Sequence, residues 1–158
     1  MDSERGRVLF VDDDKNALDG YKRLLRGEFE VETALGGGQA LAAIHLFGAY
    51  DVVISDMQMP GMNGAEFLAQ VRQLSPHTAR IVLTGYKDIN RAIEAVNEGR
   101  IFRYLTKPCE KNQLVEAIRL GMAHCRANIQ EKELVKEARE IKIQAASLSK
   151  VLLKHELR

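Results

Sequence analysis

The chain has 158 residues, room for one domain with a hydrophobic core plus an appendage. Its 23 Lys and Arg against 22 Asp and Glu leave a formal net charge of +1, so no global field favours direct binding of nucleic acid or of an anionic membrane. Cys109 and Cys125 form no CxxC pair, the four histidines lack metal-ligand spacing, and no apolar run approaches the ~18 residues of a membrane span; the cytoplasm, a reducing compartment, is the expected location.

The first apolar run, VLFV at residues 8–11, predicts a strand that runs straight into Asp12, Asp13 and Asp14. Ala17, Leu18, Tyr21, Leu24 and Leu25 follow at helical spacing. A second strand is expected at FEVETA (29–34), then a helix around Leu41, Ile44 and Phe47. The third strand, DVVIS (51–55), delivers Asp56 ahead of the turn-forming Pro60 and Gly61, and a helix with Phe67, Leu68, Val71 and Leu74 comes next. RIVLT (80–84) ends on Thr84, a helix is expected around Ile93 and Val96, and IFRYLT (101–106) leads into Lys107 and Pro108. Leu114, Val115 and Ile118 mark the fifth helix. Alternating strands and helices predict an α/β fold: a mostly parallel sheet with right-handed crossovers, helices on both faces and ligand chemistry at the carboxyl ends of the strands. From about Arg126 the sequence has no Gly or Pro and many Glu and Lys, which predicts one continuous helix. The expected division is a domain over 1–125 and a helical extension over 126–158. In that extension Leu134, Ala138, Ile141, Ala145, Leu148 and Leu152 have the spacing of a coiled-coil seam.

Two strands thus end in carboxylates, and like charges at ~4 Å repel by about 4 kcal/mol at an effective dielectric of 20. A cation must offset this, and an all-oxygen cluster suits a hard ion such as Mg²⁺. Asp13 and Asp14 have an alternative role as the N-cap of the first helix, and Asp56 as a turn former. Lys107 and Thr84 stand at two further strand ends. A cation and a hydrogen-bond donor are what an aspartyl phosphate needs, although alone each reads as a solvated lysine and a β-forming threonine.

The four segments VLFVDDD, VVISDMQMPGMNG, IVLTG and FRYLTKP resemble the receiver domain of bacterial two-component response regulators, over about residues 6–125. The resemblance implies a flavodoxin-like (CheY-like) five-stranded parallel sheet of order 2-1-3-4-5. It implies that Asp56 is the phosphoacceptor, that Asp12, Asp13, Asp56 and the backbone carbonyl of Gln58 hold Mg²⁺, and that Lys107 contacts the phosphoryl group and joins Pro108 through a cis peptide bond. Thr84 and Tyr104 become a switch pair, and Gln58 and Tyr86 flank the path of an attacking water. The implied partner is a sensor histidine kinase or phosphotransfer protein, with a missing or separate effector. NEGRIFRYLTKP resembles receivers joined to HD-type phosphodiesterases or other enzymatic outputs more than those joined to DNA-binding domains. A homodimer is expected through the face of the fourth helix, fifth strand and fifth helix and through the C-terminal helix. The chain itself is expected to be a switch, not an enzyme.

Other readings remain. Asp12-x-Asp14 mimics the nucleophile motif of a haloacid dehalogenase-type phosphatase, with Thr84 as its second motif, but no later acidic pair completes that metal site and Asp56 is left without a role. A flavin-binding module wants Gly, Ser or Thr where this chain has acids. A receiver-like docking module would not need the intact set of Asp12, Asp13, Asp56 and Lys107.

Overall fold

The computed structural model describes residues 6–156. In chain order these form β1 (Arg7–Asp12), α1 (Lys15–Leu25), β2 (Glu30–Leu35), α2 (Gly36–Phe47), β3 (Val52–Asp56), α3 (Gly64–Leu74), β4 (Ala79–Thr84), a 3-10 turn (Tyr86–Asp88), α4 (Ile89–Asn97), β5 (Arg103–Thr106) and α5 (Lys111–Glu156). The strands make one parallel sheet in the order β2-β1-β3-β4-β5. This is the α/β, flavodoxin-like arrangement the resemblance implies.

Side-chain alternation along the strands sorts the core into two layers. Val8, Phe10, Val52, Ile54, Ile81 and Leu83 pack against α1 and α5 through Leu18, Leu25, Leu114 and Ile118. Leu9, Val11, Val53 and Val82 face the other way, onto α2, α3 and α4. β3 and β4 are buried along their whole length, which is why they read as unbroken apolar runs. β5 is only half-buried at the sheet edge.

Three sequence expectations shift. The buried face of α4 is Ala92 and Ala95, while Ile93 is 38% exposed and Val96 half-buried. Small residues there let the helix backbone approach the sheet. Phe47 and Leu74, expected on apolar helix faces, end their helices in solvent. Ile101 and Phe102 precede β5 and do not join it.

By its contacts the chain divides into two units between Arg126 and Ala127. In the second unit every described residue from Ile129 to Glu156 is exposed, including Leu134, Ile141, Leu148 and Leu152. No helix among the described residues is long and apolar enough to cross a membrane.

Candidate functional site

The register places Val11 beside Ser55, Asp56 beside Leu83 and Thr84 beside Thr106, so four strands end at one level. Each end contributes one polar group. Asp12 closes β1 almost fully buried, and Asp56 closes β3 at 8% exposure. Asp13 is exposed at the start of the following turn. Asp14 serves the helix instead. Its Oδ1 accepts the Asn16 N–H at 2.9 Å and caps α1, while its own N–H donates to Asp12 Oδ1 at 3.0 Å. Carboxylate oxygens of Asp12, Asp13 and Asp56 all lie within 4.8 Å of one another, and an all-oxygen donor set of this kind fits a hard divalent cation.

Lys107 answers the repulsion directly. Its Nζ lies 2.7 Å from Asp56 Oδ1. The Lys107 N–H donates to the Thr84 carbonyl at 2.9 Å, and the Lys107–Pro108 peptide is cis. The loop after Asp56 is clamped on both sides: the Met57 N–H donates to Leu83 O at 2.9 Å, and the Gly64 N–H donates to Met57 O at 2.8 Å. A Cβ at Gly64 would stand 2.3 Å from the Asp56 carbonyl oxygen, so only glycine fits. Asn63 then caps α3 through the Glu66 N–H at 2.8 Å.

Burial raises the Asp12 carboxyl from its ordinary 3.8 to about 6, helped by the charge of Asp56 and by Asp13 and opposed by the Asp14 N–H and by Lys107. For Lys107, burial works against the ammonium charge, but Asp56 and Asp12 outweigh it and raise the pKa.

The remaining expected residues are distributed around this cluster. Thr84 is fully buried, and its hydroxyl donates to the Gly85 carbonyl at 3.1 Å. Tyr104 is half-buried on β5. Gln58 and Tyr86, the latter 92% exposed, line a cavity of about 480 Å³ with Asp56, Gly85, Asp88 and Lys107. Sequence reasoning missed Asp88 and Arg91. Gln58 Nε2 donates to Asp88 Oδ2 at 2.8 Å, and Arg91 faces the same carboxylate at 4.0 Å. In sequence Asp88 reads as an ordinary residue ahead of a helix, and nothing ties it to Gln58.

Residues 8–119 match the family described as response regulator receiver domain. The hydrogenase transcriptional regulatory protein HoxA of Cupriavidus necator is 37% identical over 119 residues, which are 75% of this chain and 24% of that protein. The chain therefore spans about a quarter of the length of that curated relative. Among solved structures, adenylate cyclase from Rhodopirellula baltica superposes with a TM-score of 0.81 at 41% identity, covering 84% of this chain and 98% of that one. The signal receiver domain of an HD domain-containing protein from Pseudomonas fluorescens Pf-5 superposes with a TM-score of 0.71 at 34% identity, covering 78% and 99%. A family match over residues 8–119, which takes in the acidic cluster at the strand ends, with relatives above 30% identity, makes this chain a member of the response regulator receiver domain family.

Proposed function

We propose that Asp56 accepts a phosphoryl group from a sensor histidine kinase or phosphotransfer protein, and that the chain is a phosphorylation-controlled switch. The observation that carries this reading is the Lys107 ammonium held 2.7 Å from Asp56, one of three clustered carboxylates. An Asp56 carboxylate oxygen forms the bond to phosphorus, the bond from phosphorus to the donor's imidazole nitrogen breaks, and the imidazole leaves with that electron pair. Lys107 meets the negative charge of the arriving phosphoryl oxygens. Asp12, Asp13 and Asp56, with the Gln58 backbone carbonyl, would hold Mg²⁺, which when bound supplies further neutralisation of those oxygens.

Thr84 and Tyr104 form the switch pair of this reading. The Thr84 hydroxyl, now spent on the Gly85 carbonyl, turns to the phosphoryl group and the Tyr104 ring moves inward behind it. The altered surface of α4, β5 and α5 then supports self-association, and the partner in output is an effector outside this segment. The cyclase and HD-domain relatives support an enzymatic effector, whereas HoxA is a transcriptional regulator. A cytoplasmic location suits a kinase donor of this class.

The test uses acetyl phosphate with Mg²⁺ and intact-mass spectrometry. Wild type should gain one phosphoryl group, and Asp56→Asn none. Equal labelling of the variant, or label mapped to Asp12, overturns the assignment and restores the phosphatase alternative.

A further inference from the structure

Gln58 and Asp88 belong to the loops after β3 and β4, 30 residues apart, yet their side chains are joined at 2.8 Å. A carboxylate only accepts, so it is the Gln58 amide nitrogen that faces Asp88, which fixes the orientation of the carboxamide. Asp88 directly precedes α4, where an aspartate ordinarily caps the first turn, but its side chain makes no capping bond. Its carboxylate is given to Gln58 and Arg91 instead, and it is only 16% exposed although Arg91 is 67% exposed. Two cavities meet at this pair. The larger, about 480 Å³, contains Asp56, Tyr86 and Lys107; the smaller, about 380 Å³, contains Asp13, Asn63 and Arg91; Met57, Gln58 and Asp88 line both. The Gln58–Asp88 pair lies on the border that the two share.

We infer that Asp88 is a positioning residue for the chemistry at Asp56, holding Gln58 as a bar between the two chambers and thereby setting the lifetime of the phosphoryl group. This rests on the reading that Asp56 is the phosphoacceptor. In hydrolysis the water oxygen forms a bond to phosphorus and the bond from phosphorus to the Asp56 carboxylate oxygen breaks. Free carboxylate and inorganic phosphate result, and the water's proton passes to phosphate or solvent. The water enters in line, by the path along which the leaving group of a small donor departs. A bar that narrows this path slows both directions of traffic. Arg91 faces the other oxygen of the same carboxylate, Oδ1, at 4.0 Å, while Gln58 takes Oδ2.

The experiment measures label on Asp56 with time, during phosphorylation by acetyl phosphate and after donor removal, in the full chain with Mg²⁺. Asp88→Ala frees Gln58 and joins the chambers, so both rates should rise together by roughly fivefold, the scale of one lost hydrogen bond. Asp88→Asn still accepts from Gln58 and should return both rates most of the way to wild type. Gln58→Ala should match Asp88→Ala, and the double variant should be no faster than either single one, because one bar is removed in all three. Normal labelling of Asp88→Ala followed by loss at the wild-type rate overturns the inference and leaves the phosphoacceptor role standing. Additive effects of the two alanines, or a drop in melting temperature of Asp88→Ala and Asp88→Asn alike with neither rate raised, overturn it as well.

Discussion

Asp12 sits where two requirements conflict. Its Oδ1 accepts the Asp14 N–H that helps start α1, yet its charge is buried beside those of Asp13 and Asp56. Burial and the neighbouring acids raise its pKa to about 6 from 3.8, so the folded chain holds a proton that the unfolded chain has released. In the metal-free protein this contribution to stability is complete below pH ~4 and is lost as pH rises to about 6. Asp12→Asn keeps an acceptor for the Asp14 N–H and removes the charge, so its metal-free stability at pH 7.5 should exceed that of wild type and should not fall across this window. Asp12→Ala should gain less, since it also gives up a hydrogen bond worth about 1 kcal/mol. Urea unfolding at pH 4.5 and 7.5 with a chelator checks both; a wild type that gains stability with pH across that range would falsify the account. At this scale the sequence was informative wherever a residue stands at a strand end: Asp12, Asp13, Asp56, Thr84 and Lys107 can be named from the apolar run before each. It was silent on the Gln58–Asp88 bond, because no spacing encodes a contact between two loops, and on the Thr84 hydroxyl, whose rotor is set by Gly85.

The elements were legible for a related reason. A parallel strand buried on both faces is an uninterrupted apolar run, and β1, β3 and β4 announce themselves that way. Helix faces were harder, since hydrophobic size misleads where the contact is made by small residues: α4 buries Ala92 and Ala95 and leaves the larger Ile93 outside. α2 holds a further surprise in its opening Gly36-Gly37-Gly38. A Cβ at Gly37 would come within 2.9 Å of the Met62 sulfur, but at Gly38 it would meet nothing within 4 Å. Gly38→Ala should therefore stabilise the fold by about 0.5–1 kcal/mol, chiefly by restricting the unfolded chain. Asn63→Ala removes the cap of α3 and should cost about 1 kcal/mol. Thermal melts of the two variants should move in opposite directions, and a destabilised Gly38→Ala would show that α2 needs its glycine for a reason other than space.

For the whole molecule, the sequence predicts the 126–158 helix and its apolar stripe but not what covers them. Leu134, Ile141 and Leu148 recur at one seam position and Ala138, Ala145 and Leu152 at the other, and all of them are exposed in the single chain. We propose a second copy as the partner. In a parallel pair Glu137 of one helix lies opposite Lys142 of the other, five residues on, and the symmetric contact repeats it; the antiparallel pair with the same apolar layers sets Lys142 against Lys142. Truncation after Arg126 and Ile141→Asp should each weaken association in sedimentation equilibrium by far more than Glu137→Lys, because exposed ion pairs contribute only about 0.2–1 kcal/mol. Glu137→Lys with Lys142→Glu should recover what the single swap loses. An association constant indifferent to all of these changes would move any dimer to the face of α4, β5 and α5. Gly64, finally, bears on how this chain can diverge. Every single-base substitution that changes a glycine codon to another amino acid installs a Cβ, and here any Cβ strikes the main chain of Asp56 at 2.3 Å. Position 64 is therefore closed to stepwise genetic drift as long as switching is selected, whereas codon 38, which begins from the same amino acid, stands open.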